Sequence, residues 1–343
     1  MRGVITMKDG RTSALVLLLA LSLTACGGGT PGPSAGAPEL LAISPPNGAV
    51  GVHKDTNIEL SFNQPMNHAS VEAAYVSFSE GLRRDQVTFV WNANSTKVTI
   101  DPKVDLKYAD GTAAPITYSF LVGSSAADQA GGTLKETVAS FRTARQFTAV
   151  LGSQAALDGY TSGRDALYSN GVVGGNTART GGMGDMVPEG GSATVSVRAF
   201  FSFDLSGLPP TVVPGDLSAA TLGLEQVTVY PSSAYADMTT AGEQLILEQV
   251  NYGNQLTITD FGTPALSLVT AAFSKDAALT RRSADVLTQV RDDLANRAAR
   301  GDRTQYRLRF AKDQPEGSYG FADFATAEGG ARAPSLELKY LAP

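Results

Sequence analysis

Ala193-Thr194-Val195-Ser196-Val197-Arg198-Ala199-Phe200-Phe201-Ser202-Phe203 alternates over eleven residues, with Val195, Val197, Phe201 and Phe203 on one side and Ser196, Arg198, Phe200 and Ser202 on the other. A period of two places successive side chains on opposite faces of a pleated strand, so this stretch predicts a long β-strand with one face toward a core. Shorter runs with the same period surround it. Ala220–Glu225, Gln244–Glu248, Thr304–Phe310 and Ser335–Tyr340 lie within the same stretch after Arg145. Thr56–Phe62, Gln86–Trp91, Lys97–Ile100, Ile116–Leu121 and Ala139–Arg142 lie before it, from Glu39 onward. Many short strands broken by turn residues predict an all-β chain: an Ig-like sandwich over 39–145, then a jelly-roll sandwich over 147–343. One helix interrupts the second set. Ser283 is its expected cap, Val286, Leu287, Val290 and Leu294 its apolar stripe, and Gly301 its stop.

The 343 residues are 43% hydrophobic and 17% charged, with 33 acidic against 27 basic residues, which excludes a disordered chain and a counterion-displacing nucleic-acid groove. No nucleic-acid partner is expected. Arg2, Lys8 and Arg11 precede an uncharged run, Thr12–Ala25, shorter than the ~20 residues of a membrane span. Residues 1–25 therefore have the form of a secretory signal peptide. Leu23-Thr24-Ala25-Cys26 resembles the lipobox of bacterial lipoproteins, and Cys26 is the only cysteine. That resemblance implies acylation, palmitate included, at Cys26 and anchoring to a membrane through the lipid. Two or three acyl chains hold a protein far better than one. Gly27 follows Cys26 where Asp resembles a retention signal for the inner membrane, so the outer membrane or cell surface is the expected location. Residues 26–38, rich in Gly and Pro, read as a tether.

Ile43-Ser44-Pro45-Pro46-Asn47-Gly48, then Ile58-Glu59-Leu60-Ser61-Phe62-Asn63-Gln64-Pro65-Met66-Asn67, then Phe141-Arg142-Thr143, resemble the bacterial Ig-like domain first described in surface-layer proteins. The resemblance implies a spacer or display module with no catalytic residues. Asp158-Gly159-Tyr160, Arg198–Pro209 with its Phe203-Asp204-Leu205-Ser206 phrase, and Pro334–Tyr340 resemble the DNRLRE-type domain, which groups with carbohydrate-binding jelly rolls. Two segments depart from that pattern: a Gly-rich insertion, Gly171–Gly191, expected as a surface loop, and the stretch Tyr230–Arg282.

His-Glu-x-x-His does not occur, and both histidines, His53 and His68, precede residue 146, so no Ser-His-Asp relay can form in the second half. Each histidine reads as a solvated loop residue, and Trp91 as a core residue beside Val87 and Phe89. Asp158, Asp165, Asp204, Asp323 and Glu328 are acidic side chains of the kind that two-carboxylate hydrolysis uses, and a polysaccharide-active enzyme is the third-ranked function on that account. Acidic loop residues in a jelly roll also suit a structural calcium, which the resemblance implies. Tyr160, Tyr168, Tyr230, Tyr235, Tyr252 and Tyr319 fall in or beside turns, and Tyr230, Tyr235 and Tyr252 lie where no strand face claims them. These three are the expected sugar-stacking residues. Arg281, Arg282, Arg307 and Arg309 read as solvated. The sequence thus points to a non-catalytic, lipid-anchored envelope protein displaying a glycan-binding module, with docking to a surface-layer or outer-membrane protein as the alternative.

Overall fold

The computed structural model describes residues 36–162, 177–186, 192–239, 243–312 and 320–343. Cys26 and the signal peptide lie outside them, as do Asp165, Tyr168 and Tyr319. Residues Pro38–Pro343 form one compact unit, within which two sandwiches follow one another.

The first sandwich packs two four-stranded sheets. One holds β1 (Leu40–Ser44), β3 (Ile58–Phe62), β6 (Lys97–Pro102) and β5 (Val87–Trp91) in that order. The other holds β2 (Ala49–Val52), β9 (Thr137–Thr143), β8 (Thr117–Val122) and β4 (Tyr75–Val76). The alternation decides the facing: Ile58, Leu60 and Phe62 of β3 and Val98 and Ile100 of β6 meet Tyr118, Phe120 and Val122 of β8 and Phe141 of β9 in one core. A short helix, α1 (His68–Ala74), begins where the Asn67 side chain accepts the Ser70 N–H at 3.1 Å.

The second sandwich is built on one hydrogen-bonded strand path. After β7 (Ala109–Asp110) come β10 (Arg145–Gly152), β11 (Gly159–Ser162), β12 (Thr177–Met186), β13 (Ser192–Asp204) and β14 (Leu217–Tyr230). β15 (Leu245–Val250), β16 (Ser267–Ser274), β17 (Arg281–Asp285), β18 (Arg303–Phe310), β19 (Phe321–Ala325) and β20 (Ser335–Ala342) complete it. β14 joins the two layers: its first half pairs with β20, and after an irregularity at Gln226/Thr228 its second half pairs with β19. Phe201 and Phe203 of β13, Tyr306 and Leu308 of β18, Phe324 of β19 and Leu336 and Leu338 of β20 fill the space between. Both faces of β13 are buried. Phe200 turns away from that core into a second cluster with Leu157, Val250, Tyr252 and Leu256.

Three expectations change. The Gly-rich insertion is not all loop, because Thr177–Met186 is a strand between β13 and β19. Glycine is required there by close approach: at Gly181, with φ +123°, a Cβ would sit 2.5 Å from the Gly320 carbonyl oxygen. The expected helix forms as α3 (Leu287–Ala295) and α4 (Arg297–Arg300), but Ser283 lies in β17 and caps nothing. The Asp285 carboxylate accepts the Leu287 N–H at 2.9 Å instead, while Gly301 closes the far end at φ 59°, ψ 40°. It is not the only helix, since α1 and α2 (Ala234–Met238) are also present.

The joint between the sandwiches is a strand. β10 starts at Arg145, pairs along its length with β20, and pairs in parallel with β7, which the chain of the first sandwich contributes to this sheet. Arg145 donates to the Gly111 carbonyl (3.2 Å) and to the Pro343 carbonyl (2.7 Å), and its guanidinium lies 5.1 Å from the centre of the Phe147 ring. No helix among the described residues is long and apolar enough to cross a membrane.

Candidate functional site

The three tyrosines do not form one surface. Tyr235 lies on α2, 7% exposed, with its hydroxyl donating to Gln226 Oε1 at 2.6 Å and its ring edge-on to Phe310. Tyr252, also 7% exposed, donates to the Leu157 carbonyl at 3.1 Å and packs edge-on against Phe200. Burial pushes both hydroxyls up from their ordinary pKa. Neither ring offers a face to a sugar, which corrects the expectation drawn from their turn-rich neighbourhood. Tyr252 has found its acceptor 95 residues away, and Tyr235 has Gln226 nine residues back and the Phe310 ring beside it.

Tyr230 remains at the surface, 54% exposed at the end of β14. Its ring tilts against Phe321 at 5.9 Å, and Arg179 lies over Phe321 at 3.5 Å. Arg179 is held by a two-pronged contact with Asp323, at 2.7 and 2.9 Å, because β12 and β19 set these residues directly opposite each other. An exposed phenol beside a cation stacked on an aromatic ring is a small platform of the kind that takes a sugar ring. The pairing of Arg179 with Asp323 was not visible in the sequence, which separates them by 144 residues.

A second polar constellation lies on β15 and β18. Glu248 accepts from Arg307 at 2.9 and 2.6 Å and from Arg309 at 3.1 and 2.9 Å. Arg307 also donates to the Phe261 and Thr263 carbonyls, and Arg198 stacks over Phe261 at 4.0 Å. Arg307 is 4% exposed and Glu248 6%, so the solvated reading of Arg307 is corrected: registry brings a carboxylate opposite it and the chain 251–266 brings carbonyls. Burial pulls the Glu248 carboxyl up, but hydrogen bonds and charge from Arg309 and Arg307 outweigh it and hold the carboxyl below its usual range.

Asp158 is fully buried and ties three segments together. Its oxygens accept from the Ser153 hydroxyl, the Ser202 N–H (3.2 Å) and the Ala327 N–H (3.0 Å). Burial, with a smaller push from Glu328, raises its pKa to about 7 against these hydrogen bonds. With Asp158 so engaged and Asp323 held by Arg179, these carboxylates do not fit calcium. Among the described residues no three His, Cys, Asp or Glu side chains gather as a cation would need.

In the first sandwich Trp91 sits at the rim of the core and not within it. His68 stacks on it at 4.2 Å and 8°, and its Nε1–H donates to Glu72 at 3.0 Å. His53 is exposed but faces Asp216 of the second sandwich at 3.2 Å. A shallow groove of about 330 Å³ runs along β1, lined by Leu40 to Ile43, Pro46, Asn47 and Thr137, and holds no titratable group.

Residues 34–143 match the bacterial Ig-like domain family. This match fits a structural protein of the cell surface. A search of curated proteins finds no match. Among solved structures, the N-terminal part of the bacterial S-layer protein SbsC is similar at 14% identity and TM-score 0.24, over 48% of this chain and 40% of that one. A longer SbsC structure, residues 31–844, is similar at 12% identity and TM-score 0.23, over 73% of this chain and 32% of that one. An L,D-transpeptidase from Mycobacterium smegmatis is similar at 17% identity and TM-score 0.23, over 48% of this chain and 76% of that one. The chain thus spans less than half the length of either SbsC structure.

Proposed function

We propose that the chain is a non-catalytic structural protein of the bacterial cell surface, held to the envelope by lipid on Cys26, whose Ig-like domain carries the C-terminal sandwich outward. The joint carries this reading. A spacer that must keep its load at a fixed distance gains from a stiff connection, and β10, bonded to both sandwiches with Arg145 bridging Gly111 and Pro343, supplies one. The test is phase separation in detergent: wild type partitions with detergent and Cys26→Ser with water. A Cys26→Ser protein that still follows detergent removes the lipid anchor from the proposal.

The platform at Tyr230 favours a second reading, in which the C-terminal sandwich, similar to the DNRLRE-type domain, binds a glycan. On a polysaccharide that retains the wild type, with or without calcium, Tyr230→Ala should weaken retention about tenfold with an unchanged melting curve. Unchanged retention shifts the weight to the structural reading.

A further inference from the structure

One sheet of the Ig-like domain, β2-β9-β8-β4, turns its second face to water. The registers set Val76 opposite Leu121 and Leu121 opposite Val138, so three apolar side chains stand side by side across three strands. Val138 is 63% exposed and Val76 38%. Two residues beyond Val76, just past the end of β4, Phe78 is 90% exposed. It does not sit on a loose loop, since its two neighbours are tied to β8: the Ser77 hydroxyl donates to the Ser119 carbonyl (2.6 Å) and the Ser119 N–H donates to Ser79 Oγ (2.9 Å). An aromatic ring held in water at the end of an apolar row marks an interaction surface.

The charges beside the row say what it meets. Arg142 falls on the same side of β9 as Val138 and Glu136 immediately precedes the strand, three residues after and three before Ala139, and both are exposed. Neither has an ion-pair partner among the described residues, whereas Lys54 pairs with Asp105, Lys97 with Glu59 and Lys107 with Glu80. Opposite charges equidistant from the centre of one strand are self-complementary when that strand meets itself reversed.

We propose that this face is a contact between two copies of the chain, stacked face to face about a two-fold axis that crosses β9 near Ala139. The apolar rows then lie one on each side of the axis, and Glu136 of each copy faces Arg142 of the other. An anionic lipid surface or polysaccharide would gain nothing from Glu136, so the balanced pair argues for a second copy. The row offers on the order of a few hundred Å² per copy, below the ~800 Å² per partner of a stable complex, so the contact is weak and forms where copies are crowded. The proposal stands on this face alone and does not depend on acylation of Cys26.

Sedimentation velocity on the chain from residue 26 onward, carrying Cys26→Ser so that lipid plays no part, tests it between ~1 and ~500 µM. A monomer–dimer equilibrium with a midpoint near ~100 µM is expected. Phe78→Asp should abolish it without lowering the melting temperature, because the ring is in water. Glu136→Arg alone and Arg142→Glu alone should each weaken association about tenfold, and the double reversal should restore it. A chain that stays monomeric throughout, dimerisation indifferent to Phe78→Asp, or a double reversal that fails to rescue would each overturn the proposal.

Discussion

The two sandwiches bury different things. Among the described residues the Ig-like domain buries three polar side chains, Ser77, Asp128 and Thr143, and its three Lys–carboxylate ion pairs lie at the surface. The C-terminal sandwich buries seventeen, among them Asp158, Glu248, Gln226, Gln305 and Arg307. Among the described residues the first core holds one buried carboxyl, Asp128, which accepts from the Gln64 amide and the Ala130 and Gly132 N–H groups, and no buried ion pair. A core with an ion network is conditional, since each buried group is stable only while its partners and protonation state hold. The difference separates a module suited to carrying from one whose shape depends on its surroundings.

The sharpest way to break this comparison is at Glu248. Truncation leaves the buried Arg307 without its counter-charge, and Glu248→Ala should cost about 3–5 kcal/mol, read as a lower urea midpoint at pH 7. The sign with pH follows from the depressed carboxyl. The stability supplied by Glu248 is present above its unfolded pKa and is lost as pH falls through the lower folded value. A cost under 1 kcal/mol would mean that the network is wetter than its burial implies.

Asp158 runs the other way. Its folded pKa, about 7, lies above the ordinary 3.8, so its effect on stability is most favourable below pH ~4 and declines as pH rises toward 7. The full penalty above pH 7 is about 4 kcal/mol as an upper figure. Thermal melts of Asp158→Asn should lose that slope between pH 4 and 7, and hydrogen exchange at the Ala327 amide, which the carboxyl receives, should lose the same pH dependence. A slope unchanged in the variant would place the titration elsewhere.

How much of this was legible depends on how local each cause is. β3, β5, β13, β18 and β20 were readable because alternation is written within each strand, and α3 and α4 because a stripe and Gly301 bound them. β12 was not, because Gly181 is chosen by the approach of Gly320 and Phe321, more than a hundred residues away, and glycine otherwise signals a loop. Tyr235 and Tyr252 were misplaced because turn-rich flanks suggest exposure, while Gln226 and the Leu157 carbonyl reward burial. Of the expected site only Tyr230 lies at the surface. Its neighbours Arg179 and Phe321 came together only through sheet pairing.

The smallest effect belongs to the Ig-like surface. Lys97 reaches Glu59 at 2.7 Å across β3 and β6, yet the two side chains are 41% and 40% exposed. At that exposure water screens the pair, and holding two long side chains in register costs most of what the attraction returns. Lys97→Ala should therefore change stability by about 0–0.5 kcal/mol, and even that difference should fade as salt rises from ~0.05 to ~0.5 M, where screening shortens the reach of surface charges. Paired urea titrations of Lys97→Ala and Glu248→Ala at both salt concentrations make the contrast quantitative. The Glu248 cost should persist in high salt because its partners are buried with it. If the two costs came out equal, or if both vanished in salt, exposure would not be what separates the two sandwiches.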